Sequence, residues 1–206
     1  MDDDLGVQED LRPPKGFALL AAIFEGGIAV VAVGVGWLLG RDPLETFRWT
    51  AADAGWGILA TVPPLVGLWL CLKCPLRPIA ELIRMVDRVL LPLFRRCRWT
   101  ELAVICLLAG LGEEMLFRGI VQRVVAEWIG GQPGVWLGLA AAAVLFGLAH
   151  RLTSTYAVLA GIIGLYLGWI WLISGNLLVP IAVHSLYDFI ALTYLLWFRE
   201  SRATPH

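Results

Sequence analysis

Ionisable and aromatic side chains spaced four residues apart mark three places in the second half of the chain. Residues four apart share one face of a helix, so each pattern brings its members into contact if the segment is helical. Carboxylates and imidazoles held close together can bind a metal ion or activate water. The three patterns are Glu-Glu-x-x-x-Arg over 113–118, Phe-x-x-x-His over 146–150 and His-x-x-x-Asp over 184–188.

The two adjacent acids of the first pattern have different neighbours on a helix. Glu114 and Arg118 lie one turn apart, so their charges can neutralise each other. Glu113 points about 100° away around the helix and has no partner nearby in the sequence. We therefore predict a structural ion pair between Glu114 and Arg118, with Glu113 free to act as a base.

The two histidines of the other patterns complete the set of candidate groups. Asp188 lies one turn beyond His184, and a carboxylate in that position can orient the imidazole. His150 shares a helix face with Phe146. The third histidine, His206, is the C-terminal residue and is expected to be inert.

Two routes to water activation fit these groups. In a metal-assisted route, His150, His184 and a carboxylate such as Glu113 bind zinc, and a second carboxylate takes the proton. In a metal-free route, a glutamate takes a proton from water while the histidines position that water or stabilise an oxyanion. The residues alone leave both routes open.

Composition indicates an integral membrane protein. Of the 206 residues, 59% are apolar and 16% are charged, and the mean hydropathy is +0.75. An ordinary soluble domain has about 25% charged residues. This composition excludes a secreted disulfide scaffold, a disordered hub and a basic nucleic-acid binder.

An ionisable group inside a membrane costs about 2.5–3.5 kcal/mol, so three such clusters favour a functional site.

Six apolar runs position these groups in a predicted all-α, multi-pass helical bundle. The third run is clean only to Gly112, after which charged residues follow; if it does not cross the membrane, the count is five. Straight helices would place His150, at the end of the fourth run, at a different depth from Glu113 and His184. The runs are 16–40, 54–72, a third from 102, 134–149, 156–174 and 177–198.

Charge distribution predicts the topology. Seven of the 16 basic residues fall between Lys73 and Arg98, which places that segment in the cytosol. Six crossings then place both termini in the cytosol, and we expect a bacterial inner membrane.

The acidic segment 1–10 is expected to be a solvated tail. Segment 78–94 alternates apolar and charged residues with helical spacing, which predicts an amphipathic helix on the cytosolic membrane surface.

Several other features are expected to be structural. Cys71, Cys74 and Cys97 lack the further ligands of a zinc site, so reduced structural thiols are predicted. Two Gly-x-x-x-Gly spacings, at 134–138 and 164–168, predict internal helix packing. Glu25 interrupts the first apolar run and is assigned no catalytic role.

The three patterns, in this order on successive apolar runs, resemble the CPBP family, the Abi or type II CAAX prenyl endopeptidase group of intramembrane proteases. The resemblance covers about residues 99–198. It implies a catalytic core over 99–206, preceded by a two-span region over 1–98 that carries the acidic tail and the basic amphipathic segment.

The resemblance also implies roles for individual residues. Glu113 becomes the water-activating base, and His150 and His184 position water and stabilise the oxyanion. Glu114, Arg118 and Phe146 become structural support. The CAAX-processing enzymes have Asn at the last motif position, where this chain has Asp188. An ionised Asp cannot donate a hydrogen bond, so Asp188 must be protonated, orient His184 or bind metal.

The expected activity is hydrolysis of a peptide bond in a membrane-associated peptide or protein. The substrate classes considered are a prenylated-type C-terminus, a bacteriocin-like peptide and a membrane-anchored regulator, with no nucleic acid. No cofactor is required on the glutamate route, whereas the metal route needs zinc. Two alternatives remain: an inactive scaffold or immunity protein of the same fold, and a proton-coupled transporter. The acid and His groups share one half of the chain, which disfavours the transporter.

Overall fold

The structure, a computed structural model, describes residues 16–199, which form helices and short turns without any strand among them. The predicted acidic tail, both chain ends and His206 lie outside the described residues. Three π-helical segments continue α-helices: π1 Val86–Leu90, π2 Met115–Gln122 and π3 Tyr194–Arg199. The α-helices are α1 Phe17–Leu39, α2 Ala51–Ala60, α3 Val62–Lys73, α4 Arg77–Met85, α5 Leu91–Phe94, α6 Trp99–Glu114, α7 Arg123–Ile129, α8 Gly131–Ala149, α9 Ser154–Ser174 and α10 Leu178–Thr193.

Five helices within the described residues are long and apolar enough to cross a membrane. This confirms the predicted all-α, multi-pass architecture. The third predicted run is not among the five, because charged residues follow Gly112. The five are Phe17–Leu39, Ala51–Lys73, Gly131–Ala149, Ser154–Ser174 and Leu178–Phe198.

The third run nevertheless extends from one end of the bundle to the other as a continuous helical stretch, α6–π2–α7. At its start, Trp99 stacks on Trp197 of π3, with 4.9 Å between the ring centroids. Towards its end, Arg123 pairs with Glu45 and donates to the carbonyl oxygen of Asp42, both in the loop after α1. The stretch thus contacts the end of the last helix and, at the opposite end of the bundle, the loop that follows the first.

Helix α1 runs parallel to this stretch over the same distance. Phe17 packs edge-on against Phe94 of α5, with 5.2 Å between their ring centroids. Just after the other end of α1, Arg41 forms an ion pair with Glu127 of α7. The third predicted run therefore traverses the bundle alongside α1, although its charged residues exclude it from the apolar set.

Glycines allow α6 to pack closely between α1 and α10. A Cβ at Gly110 would lie 2.2 Å from the hydroxyl oxygen of Ser185, and one at Gly112 would lie 2.8 Å from the carbonyl oxygen of Glu25. The backbones at these two contacts are too close for any side chain. Two neighbouring helices are thereby held against the segment that carries the paired acids.

Both Gly-x-x-x-Gly spacings pack inside the chain, as predicted. A Cβ at Gly138 would lie 2.4 Å from the carbonyl oxygen of Gln122, and one at Gly168 would lie 2.5 Å from the Oε1 of the same residue. The same glutamine thus contacts α8 and α9 together. These glycines fix the α8–α9 hairpin against π2.

The predicted amphipathic segment is helical, as α4, π1 and α5. Its apolar side faces the interior of the bundle, where Ile79, Leu82, Ile83, Val86 and Leu90 line an internal cavity. The predicted amphipathic pattern is therefore present. Its apolar face, which was predicted to contact the membrane surface, instead lines a cavity inside the protein.

The proposed boundary between residues 98 and 99 coincides with the start of α6, but the division into two units stays a prediction. Helix α1 packs against α6, and Tyr166 of α9 donates a hydrogen bond to the carbonyl oxygen of Ala60 in α2. The first two spans are therefore packed directly onto the helices that carry the motifs.

Candidate active site

The paired acids lie where α6 passes into the π-helical segment π2. Glu114 is the last residue of α6, and the chain continues without a break into Met115. π-Helical turns are rare and often occur at functional sites. The sequence analysis predicted a regular α-helix here and did not anticipate this change.

Glu114 is at the centre of a buried network. Its Oε1 accepts hydrogen bonds from Arg118 Nη1 at 2.8 Å and from His184 Nδ1 at 2.9 Å. Arg118 also donates through Nη2 to the carbonyl oxygen of Gly164, at 2.8 Å. The side chains of Glu114 and Arg118 are fully buried. The predicted ion pair is therefore present, and it also holds a histidine that is 70 residues away in the sequence.

Glu113 faces a different partner. Its Oε2 lies 3.6 Å from Nε2 of His150, and this oxygen is buried without a hydrogen-bond partner among the described residues. The other ring nitrogen of His150, Nδ1, lies 2.9 Å from the carbonyl oxygen of Phe146. A carbonyl can only accept, so Nδ1 carries the proton in that bond and Nε2 is directed towards Glu113.

Phe146 contacts both histidines and the buried arginine. Its ring stacks on His150, with 4.5 Å between centroids, and meets His184 edge-on at 5.8 Å. The guanidinium of Arg118 lies over the same ring, 4.9 Å from its centroid. One aromatic side chain thus fixes the relative positions of the three cationic or titratable groups.

Asp188 lies on the other side of His184 from Glu114. Its Oδ2 is 3.4 Å from Nε2 of His184, and the aspartate side chain is about one-third exposed. Both ring nitrogens of His184 therefore face carboxylates. The contact to Asp188 is longer than a good hydrogen bond, so this side of the imidazole is the less firmly held.

The α8–α9 hairpin explains why His150 reaches the depth of Glu113. Helix α8 begins at Gly131, directly after α7, and after its 19 residues it ends at the level of the paired acids. Helix α6 begins further towards the opposite end, at Trp99. The predicted mismatch in depth arose because α8 was assumed to reach the same end of the bundle as α6.

An apolar cavity of about 710 Å³ opens onto these groups. Helices α1, α3, α4, α6, α9 and α10 all contribute to its wall. The polar residues that line the cavity are Glu25, Glu113, His150, Arg151, Tyr156, His184, Tyr187 and Asp188, together with Cys71 and Cys106. The sequence analysis assigned no catalytic role to Glu25, Tyr156 or Tyr187, each of which lies in a predicted membrane span.

The metal-assisted route would use Glu113, His150 and His184 as ligands. Within residues 16–199, no group of three or more His, Cys, Asp or Glu side chains is placed to hold a metal ion. Nδ1 of His184 is bonded to Glu114, an arrangement that metal-ligating histidines also show, and Nε2 stays available. Glu113, His150 and His184 are nevertheless not assembled as a three-residue group of this kind.

The described cysteines are all free thiols. Cys97 is buried in the turn between α5 and α6, and burial raises the pKa of its thiol, which lowers its reactivity. This agrees with the prediction of structural thiols.

Comparison with known proteins gives a family match for part of the chain. Residues 95–190 match the family model described as Rce1-like, type II CAAX prenyl endopeptidase. All three motifs lie inside this match, which confirms the resemblance predicted from them. Searches of curated proteins and of solved structures give no significant match. The five apolar helices indicate an integral membrane protein, and its segment 95–190 is similar to the type II CAAX prenyl endopeptidase family.

Proposed function

We propose that this protein is an intramembrane endopeptidase that hydrolyses a peptide bond with water activated by Glu113. One observation carries the proposal: the unpartnered Oε2 of Glu113 faces Nε2 of His150 at 3.6 Å, on the wall of an apolar cavity. A base and an imidazole at this separation can both contact one water molecule. The family match supports a protease, and the details below are our inference from the geometry.

In the first step, water bound between Glu113 and His150 gives a proton to the Glu113 carboxylate. Its oxygen then forms a bond to the carbonyl carbon of the substrate, and the electron pair of the C=O double bond moves onto the carbonyl oxygen. Nε2 of His150 accepts a hydrogen bond from the water, because the proton on Nδ1 is held by Phe146. This orients the water towards the substrate.

The resulting oxyanion needs a hydrogen-bond donor. Because Nδ1–H of His184 is donated to Glu114, a donor at Nε2 requires the imidazolium form, which the two facing carboxylates favour. Its Nε2–H is suited to this role, since the contact with Asp188 is 3.4 Å long and can be exchanged for the substrate oxygen. When the tetrahedral intermediate collapses, the C–N bond breaks and Glu113 returns its proton to the leaving nitrogen. The products are a new carboxyl terminus and a new amino terminus, and the enzyme is unchanged.

The buried network keeps His184 in place during this cycle. Glu114 holds Nδ1 of the imidazole, and Arg118 neutralises Glu114. Asp188 remains an orienting group for His184 rather than an oxyanion donor, since an ionised carboxylate can only accept. No cofactor is needed in this scheme.

The substrate that fits this cavity is an apolar, membrane-associated segment. Most of the lining residues are aliphatic or aromatic, and they come from both membrane helices and the amphipathic helix α4. We place the protein in a bacterial inner membrane with both termini in the cytosol, on the basis of the basic segment 73–98. This topology puts α4 at the cytosolic end of the cavity.

The proposal is tested by comparing protein N-termini in membranes from cells that express the wild type or Glu113→Gln at equal levels. The matched control is Glu81→Gln, which makes the same chemical change at an exposed position of α4. New N-termini present with the wild type and Glu81→Gln, but absent with Glu113→Gln, support the proposal and name the substrates.

The same comparison separates the alternatives. A scaffold or immunity protein would give identical N-termini in all three strains and would keep its phenotype in Glu113→Gln. A transporter would also give identical N-termini, but Glu113→Gln would abolish a proton or substrate flux in vesicles. Either result overturns the proposed function.

A further inference from the structure

Glu25 is the one ionisable residue of α1, and it lines the same cavity as Glu113, His150 and His184. It lies outside the segment that matches the protease family, residues 95–190. A carboxylate inside an apolar span is costly, so its presence needs a physical reason.

The position of Glu25 is fixed by close helix packing. Its backbone lies directly against Gly112, where even a Cβ atom would come within 2.8 Å of the Glu25 carbonyl oxygen. Gly112 precedes Glu113 in α6, so the two carboxylates approach the cavity from adjacent helices. Glu25 is therefore held beside the proposed catalytic base.

Glu25 differs from the other acids of the site in having no ion pair among the described residues. Glu114 is paired with Arg118, Glu113 faces His150, and Asp188 faces His184. These contacts use three acids and three basic groups.

By contrast, the Oε2 of Glu25 is buried without a hydrogen-bond partner, and no described Lys, Arg or His lies within ion-pair distance of it. Among the described residues that line the cavity, the only Lys or Arg is Arg151, an exposed residue just after α8. The apolar cavity thus contains an acid that has neither an ion pair nor, at Oε2, a hydrogen bond among the described residues.

We propose that Glu25 is a substrate-binding residue that pairs with a basic group of the apolar segment occupying the cavity. The basic group is a Lys or Arg side chain or a free amino terminus, each of which donates charge-assisted hydrogen bonds to a carboxylate. Binding of the substrate would give the Glu25 carboxylate the hydrogen-bond donor that it lacks within the protein. The proposal rests on the cavity being the substrate site of the proposed function, and it adds that the substrate is both apolar and cationic near the scissile bond.

A crosslinking experiment tests this without requiring cleavage. Two photoreactive apolar peptides of about 20 residues, long enough to span a bilayer, differ only in one lysine or acetyl-lysine about eight residues from one end. That position corresponds to the depth of Glu25, which lies eight residues, or about 12 Å, from the start of α1. The peptides are added to purified Glu113→Gln protein in phosphatidylcholine vesicles, with Glu113→Gln/Glu25→Gln as the test variant and Glu113→Gln/Glu81→Gln as the matched control.

The expected result is a preference of about tenfold for the lysine peptide in Glu113→Gln and in the Glu81 control, which corresponds to one charge-assisted hydrogen bond. The preference should disappear in the Glu25 variant, while crosslinking of the acetylated peptide stays unchanged. An equal preference with and without Glu25, no preference in any variant, or no crosslinking at all would overturn the proposal.

Failure of the proposed function gives a different pattern. If the protein is not a protease, protein with Glu113 intact leaves both peptides uncut, whereas the dependence of crosslinking on Glu25 is unaffected. If the protein is a protease and Glu25 has no role in binding, Glu25→Gln cleaves lysine and acetyl-lysine peptides at the same ratio as the wild type.

Discussion

The two adjacent acids of α6 have nearly opposite environments. Glu114 is fully buried and accepts two hydrogen bonds of 2.8 and 2.9 Å, from Arg118 and His184. Glu113, one residue earlier, contacts His150 only at 3.6 Å and faces a cavity. The same residue type is therefore used once as a fixed element of structure and once as a loosely held group that faces a cavity.

The histidines repeat this difference. The His184 side chain is 6% exposed and is hydrogen-bonded to Glu114, whereas that of His150 is 24% exposed and is hydrogen-bonded to the backbone of Phe146. A reacting group needs room for water and substrate, and a positioning group needs full hydrogen bonding. The contrast teaches that the rigid half of the site, Glu114–Arg118–His184, supports the loosely packed half, Glu113–His150.

The largest effect is expected when the rigid half is broken by Arg118→Met. Glu114 is then left buried without its cation, which costs about 3–5 kcal/mol of folding free energy and abolishes cleavage. A thermal melt with a thiol-reactive dye measures this, because Cys97 and Cys106 are buried and free. Glu114→Gln/Arg118→Met should recover part of the loss. Equal stability of Arg118→Met and the wild type would show that the network is not structural.

Glu113→Gln should affect activity and leave stability almost unchanged. Loss of the general base lowers the cleavage rate by about 10²–10⁴-fold. The melting midpoint should change by no more than about 3 °C, because Glu113 makes no close ion pair. Cleavage of a substrate from the N-terminal comparison provides the rate. A melting midpoint of Glu113→Gln far below that of the wild type would show that Glu113, like Glu114, stabilises the fold.

Phe146→Leu should weaken both halves by an intermediate amount. The substitution removes the stack on His150 and the contact with the Arg118 guanidinium. Each aromatic contact is worth about 0.5–1.5 kcal/mol, so we expect a loss of about 1–3 kcal/mol in stability and about tenfold in rate. Phe117→Leu is the control, since its ring contacts Phe146 but neither histidine in the described structure. Equal rates for the two variants would contradict the role given to Phe146.

The smallest effect is expected for Asp188→Asn. The contact with His184 is 3.4 Å long and the side chain is partly exposed, so the lost ion pair is worth at most about 1 kcal/mol. The rate should fall by no more than about fivefold, because Asn keeps an acceptor for the imidazole. Steady-state kinetics on an identified substrate measures this. A fall as large as that of Glu113→Gln would move Asp188 into the reacting half of the site.

Local patterns in the sequence determined a large part of this protein. Apolar run lengths fixed the multi-pass helical class, and the four-residue spacing of Glu114 and Arg118 predicted their ion pair correctly. The glycine spacings predicted internal packing, because close helix contact requires residues without a side chain. In each case the pattern that carries the prediction lies within a single apolar run.

Only the tertiary structure decided which distant groups meet. The bond between Glu114 and His184 joins residues 70 positions apart, and no spacing rule connects them. The inward orientation of the apolar side of α4 could not be predicted, since an amphipathic face fits lipid and protein equally well. Likewise, Glu25 read as an isolated charge in a span until the packing of α1 on Gly112 placed it beside Glu113. Helical periodicity specifies which residues share a face, whereas the partner of that face depends on how all the helices pack together.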